Sequence, residues 1–165
     1  MNPQRVELLQ HMPIFGALRE DALECLLEGS ASVERNAGCY YFREGEHEQS
    51  VYVVEQGRVQ VQKAWNGSPW ALHQLGVGDC FGEMALLDLA PRSASVCALD
   101  DDTRAIEFGA GALQRLFEHD AEQFALLQMN IAREVCRRLR VTDELLFQVR
   151  MGQPLPGLAP LRPGS

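Results

Sequence analysis

Phe81-Gly82-Glu83-Met84-Ala85-Leu86-Leu87, followed after three residues by Pro91-Arg92-Ser93-Ala94-Ser95-Val96, carries more information than any other part of this chain. A turn glycine, a carboxylate, a short helix start and a lone arginine follow one another closely. Gly82 has no Cβ, so a ligand can approach its backbone. If Met84, Ala85 and Leu86 open a short helix, their amides are unpaired donors facing an anion. Glu83 can accept from sugar hydroxyls, and Arg92 can fork two N–H groups onto phosphate oxygens. Together they are the parts needed to hold one sugar and one phosphodiester.

Outward from this run the residues alternate with period two, from about residue 32 to 108. Cys39-Tyr40-Tyr41-Phe42 reads as a strand after the turn Asn36-Ala37-Gly38, and Glu44-Gly45-Glu46 as a turn. Val51-Tyr52-Val53-Val54 reads as a buried strand, and Arg58-Val59-Gln60-Val61-Gln62 as a half-buried one. Asn66-Gly67 is a hairpin signal joining it to Trp70-Ala71-Leu72-His73-Gln74-Leu75. Gly76-Val77-Gly78-Asp79 turns the chain into the central run, and the strands Ala94–Leu99 and Thr103–Phe108 flank the turn Asp100-Asp101-Asp102. Short strands at regular spacing imply an antiparallel double-sheet roll.

Helical patterns lie on both sides. Residues 3–28 carry Val6, Leu8, Leu9 and Met12, a break at Pro13, then Ala22, Leu23, Leu26 and Leu27 at helical spacing. A short helix ends near His119-Asp120. A long one follows over about 120–149, with Phe124, Leu127, Ile131, Val135, Leu139, Thr142, Leu146 and Val149 at steps of three and four. At 1.5 Å per residue it measures roughly 45 Å, more than a small roll can cover. Its apolar stripe therefore calls for a parallel helix from a second subunit, or folds back on its own domain. Glu134 and Arg138, one turn apart, are placed to pair. Met151 to Ser165 holds four prolines and three glycines and reads as a flexible tail.

The central run resembles the phosphate-binding cassette of the cyclic nucleotide-binding domain family: Phe-Gly-Glu, small apolar residues, then Pro-Arg-Ser-Ala. The resemblance implies an α+β fold, an antiparallel jelly-roll-like β-roll with short N-terminal helices, a short cassette helix and a long C-terminal helix. The implied divisions are 1–30 for the N-terminal helices, 31–110 for the roll, 111–149 for the C-terminal helices and 150–165 for the tail. The resemblance gives Arg92 the cyclic phosphate, assisted by Ser93, Ala94 and the amides of Met84, Ala85 and Leu86. Glu83 and the Gly82 backbone take the ribose 2′-hydroxyl. Val61, Leu72 and Leu75, read as inward-facing, serve either as sugar and base wall or as plain core.

Arg140-Val141-Thr142-Asp143-Glu144 further resembles the adenine-facing stretch of the long helix in the catabolite activator branch of that family. Thr142 is polar in an apolar stripe, as a base-contacting hydroxyl would be, or as a threonine that bonds its own backbone. Asp143 can accept from an adenine amino group but cannot donate to a guanine carbonyl while ionised. The implied ligand is cAMP ahead of cGMP. The implied protein is a non-catalytic homodimeric receptor that passes binding through the long helix to a protein partner of unspecified identity.

Composition sets the remaining bounds. The chain has 165 residues, 46% hydrophobic and 23% charged, enough for a real core. With 23 acidic against 15 basic residues the formal charge is −8, a surface that repels nucleic acid. No basic stripe or recognition helix follows the long helix, so direct DNA binding is not expected. Five scattered cysteines form no CxxC pair, and His11, His47, His73 and His119 are solitary, which speaks against a metal centre or a cupin-like enzyme. No signal peptide and no spanning run are recognisable, and a cytoplasmic location is expected. Two other readings stay open: an adaptor whose pocket is vestigial or empty, and a regulator shortened by loss of its DNA module.

Overall fold

The computed structural model describes residues 3–153, so the expected tail from residue 154 onward lies outside the described residues. The chain opens with α1 (Pro3–Gln10), a 3₁₀ turn (Pro13–Phe15) and α2 (Glu20–Glu28). Pro13 begins the 3₁₀ turn, where the missing N–H costs nothing. Eight strands follow among the described residues: β1 (Ala31–Arg35), β2 (Tyr40–Phe42), β3 (Val51–Gln56), β4 (Val59–Trp65), β5 (Ser68–Leu75), β6 (Cys80–Phe81), β7 (Ser95–Ala98) and β8 (Thr103–Phe108). A short helix, α3 (Glu83–Asp88), is inserted between β6 and β7. The chain closes with α4 (Ala110–His119) and α5 (Ala121–Arg150).

The strands form two four-stranded antiparallel sheets, ordered β1-β8-β3-β6 and β2-β7-β4-β5. This is the expected β-roll. Val51 to Val54 is buried at every position because the sheet holding β3 is covered on both faces. Val53, Ile106 and Phe108 join Leu9, Ile14, Leu23, Leu26, Leu116, Leu127 and Ile131 in a core under the helices. Tyr52, Val54, Val59, Val61, Phe81 and Val96 fill the space between the sheets. Asn66 (φ 50°) and Gly67 (φ 76°) supply the consecutive left-handed residues that the β4–β5 hairpin requires.

The β4–β5 ladder departs from simple alternation. Val61 pairs with His73 and the next residue, Gln62, with Ala71, so Leu72 is an extra residue on β5. Its side chain is 49% exposed. Leu72 is thus exposed at a bulge, and His73 takes the rung opposite Val61.

The long helix divides its stripe between two environments. Asp120 caps it, accepting from the amides of Glu122 and Gln123. Leu127 and Ile131 are buried in the chain's own core and Phe124 packs beside them. Leu139, Leu146 and Val149 are exposed. The buried side of the first half folds back on its own domain, whereas Leu139, Leu146 and Val149 of the second half have no cover among the described residues.

Candidate functional site

Gly82 precedes α3 in the left-handed conformation, φ 83°. A Cβ there would lie 2.7 Å from Arg92 Nη1 and 2.8 Å from the Ser50 carbonyl oxygen, so the position admits no side chain. Its neighbours are held by a second strap: Arg92 N donates to Glu46 O at 2.8 Å and Gly45 N to Arg92 O at 2.9 Å. These bonds fix the loop after α3 against the turn following β2.

Arg92 is 3% exposed. Nη1 donates to Gly82 O and Nη2 to Ser50 O, each at 2.9 Å, and the guanidinium carbon lies 4.0 Å from the centre of the Phe42 ring. Nε is buried with no acceptor. An orphaned donor costs about 1–3 kcal/mol, and a cation in such surroundings favours an anion. Burial pushes the guanidinium pKa down, while Tyr52, Glu48, Glu107 and Glu46 pull it back. An anionic oxygen reaching Nε would satisfy the orphan and neutralise the charge, so the donor set fits a phosphate.

Glu83, also 3% exposed, opens α3 beside Gly82. It is held by Arg138 of α5, whose Nη1 donates to Glu83 Oε1. Arg138 Nη2 donates to Cys80 O at 3.0 Å and Nε to Glu134 Oε1 at 3.1 Å. Burial pushes the Glu83 carboxyl up, and the Arg138 charge pulls it back. The expected Glu134–Arg138 pair thus exists, but as the outer end of a chain that runs from the long helix into the cassette. Sequence reasoning missed this second role because the partner lies 55 residues away.

Of the other expected residues, Ala85 is buried, Leu86 packs on the helical core and Ala94 on the inter-sheet core. Met84 is exposed, and the Ser93 hydroxyl donates to its Sδ at 3.9 Å. Val61 is buried and Leu75 packs against the same cluster, both facing the roll interior. Thr142 and Asp143 are exposed on α5 beyond Arg138, and neither is brought to the cassette by any hydrogen bond or ion pair among the described residues. Thr142 Oγ1 donates to the Arg138 carbonyl at 3.0 Å, the backbone-bonded alternative for this residue. All five cysteines are free thiols; Cys80 and Cys97 fill core, whereas Cys39 and Cys136 are exposed.

A two-sheet roll with a glycine-acid turn, a short inserted helix and a buried arginine defines a recognisable class. The model of the Cyclic nucleotide-binding domain family matches residues 32–120, and the chain belongs to that family. It is 28% identical over 141 residues to the CRP-like cAMP-activated global transcriptional regulator of Mycobacterium tuberculosis, covering 85% of this chain and 61% of the relative. The crystal structure of the Thermus thermophilus catabolite activator protein superposes with a TM-score of 0.72 at 29% identity, over 84% of this chain and 63% of that one. A cyclic nucleotide-binding domain from Methylobacillus flagellatus shares the fold, with a TM-score of 0.75 at 21% identity over 95% of this chain and 86% of the other. The chain spans about three-fifths of the length of the curated relative. No described helix is long and apolar enough to cross a membrane.

Proposed function

We propose that this chain is a non-catalytic sensor of a cyclic nucleotide, cAMP ahead of cGMP, that passes binding to α5 and through it to a protein partner. The observation that carries the reading is the Glu83–Arg138 pair, which ties the ribose-binding carboxylate of the cassette to the long helix. A ribose hydroxyl that hydrogen-bonds Glu83 changes the hold on Arg138. Nucleotide affinity and helix placement are then linked, by an energy of about 1–3 kcal/mol in systems of this kind. The phosphate is taken by Arg92, whose orphaned Nε supports an anion at that point. Thr142 and Asp143 belong to the proposal only as groups that a shift of α5 would bring nearer.

Exposed Met129, Cys136, Leu139 and Leu146 recur on α5 at seven-residue spacing (129 and 136; 139 and 146). This supports a second copy of the chain as the cover for that face, in a parallel pair. The test is calorimetry with cAMP and cGMP on the protein and on Arg92→Ala. The variant is expected to lose roughly 2–5 kcal/mol of binding. Unchanged affinity would sink the pocket assignment.

One observation favours the alternative of an interaction module with an empty pocket. Arg92 and Glu83 already have protein partners in Gly82, Ser50 and Arg138. A nucleotide panel that leaves the melting temperature unmoved at millimolar concentration would select that reading.

A further inference from the structure

Phe42 owes its position to an irregularity in β2. Tyr40 pairs with Cys97 of β7 and Phe42 with Val96, so Tyr41 is an extra residue on β2. A regular strand sends neighbouring side chains to opposite faces, yet Tyr41 and Phe42 are both buried. Tyr41 has its own anchor, its hydroxyl donating to Thr103 O at 3.0 Å. Phe42 joins a ring cluster, its centroid 5.9 Å from those of Tyr52 and Phe81, which stack on each other at 5.0 Å. Tyr52 is fixed in turn by donating to Glu107 Oε1 at 3.0 Å.

This ring meets the cassette. A Cβ on Gly82 would lie 3.4 Å from Phe42 Cε1, and the Arg92 guanidinium carbon sits 4.0 Å from the ring centre. At that distance a cation rests on the negative face of the ring, a contact that strengthens out of water. Nη1 and Nη2 each give an N–H to a backbone carbonyl, Gly82 O and Ser50 O. Those partners orient the group without neutralising its charge, while Glu48, Glu107 and Glu46 attract it at longer range. Phe42 covers one side of the guanidinium, and the edge that bears Nε is left for an anion.

We propose that Phe42 is a positioning residue for the anion site: its ring holds the Arg92 guanidinium, charged and with Nε free, where a cyclic phosphate is received. This rests on the reading of the pocket given under Proposed function. Without the ring the carboxylates compete for the guanidinium, and only a fraction of molecules keep it in place. Apparent affinity then falls by that fraction. The role also accounts for an arginine at this point. A planar cation can lie on a ring while its N–H groups bond carbonyls, whereas the ammonium of a lysine has no flat face.

Fluorination isolates the effect, because each fluorine weakens the negative face of the ring and barely alters its shape. Mono-, di- and trifluorinated phenylalanine would be placed at position 42 by nonsense suppression, with cAMP affinity read by calorimetry and stability by chemical denaturation. Affinity is expected to fall stepwise with fluorine number, to about tenfold weaker for the trifluorinated ring. Stability should fall in the same order. That second trend should vanish in Arg92→Gln, whose amide can still donate to a carbonyl but offers the ring no charge. Level cAMP affinity across the series would make Phe42 core filling, which overturns the positioning role and leaves the sensor standing. Affinity that rises with fluorination would show ring and phosphate competing for the cation, and overturns it too. A stability trend that persists in Arg92→Gln does the same, since it would come from packing alone. Wild type that binds no cyclic nucleotide by calorimetry removes both proposals.

Discussion

Arg138 and Glu83 form the one ion pair that joins the long helix to the cassette among the described residues. The carboxylate is 4% exposed and the arginine 33%, so the pair is asymmetric: removing the arginine strands a buried charge, whereas removing the acid leaves a cation that can turn toward water. Arg138→Ala is expected to cost roughly 2–3 kcal/mol, below the range for fully buried pairs because the arginine is partly solvated. Glu83→Gln in that background should recover part of the loss. A double-mutant cycle by chemical denaturation checks both, and additive effects would mean the two residues do not interact.

Gly82 has a second, independent constraint. Its left-handed φ of 83° and the 2.7 Å approach of Arg92 Nη1 act together against any side chain. Gly82→Ala should destabilise the fold by more than about 1 kcal/mol and displace the guanidinium. Thermal melting reads the first effect and cyclic nucleotide affinity the second. A variant with both unchanged would show that the loop relaxes freely.

His73 gives the expected pH response. Burial and the charge of Arg138 lower its pKa from 6.5, with Asp79 opposing. Between the folded value and 6.5 the unfolded chain binds a proton that the folded one does not. Stability from this group is therefore full above about 6.5 and declines as the pH falls through the depressed folded value. The melting temperature of His73→Gln should fall less steeply over that interval than that of wild type. Parallel curves would remove His73 from the response.

Thiol chemistry reports on the uncovered half of α5. Burial pushes the Cys80 thiol up to about 12, so it should stay inert at pH 8 until the protein unfolds. Cys39 and Cys136 are exposed and should alkylate first. If a second copy covers α5, Cys136 should slow with rising protein concentration while Cys39 does not. Mass spectrometry of labelled peptides separates the two sites.

How far the sequence carries the fold follows from where its information is local. The cassette, the Asn66-Gly67 hairpin and the Pro13 break are each fixed by a few adjacent residues, and each appears where the sequence places it. β1 and β6 were not individually legible. β1 lies at a sheet edge with mostly exposed side chains, and β6 has only two residues. The bulge at Leu72 was hidden as well, because it depends on pairing with another strand. For the site, Glu83 and Arg92 could be read from their spacing. Ser50 and Arg138 could not, since each reaches the cassette only through tertiary contact.

The division of α5 at Arg138 has a mechanical consequence. Residues 139–150 extend roughly 18 Å past Arg138, at 1.5 Å each. A pivot of ten degrees at that anchor would sweep the far end through about 3 Å, enough to exchange one set of packing neighbours for another. A displacement of a few tenths of an ångström in the carboxylate grip is thereby magnified along a rigid rod before it reaches any partner.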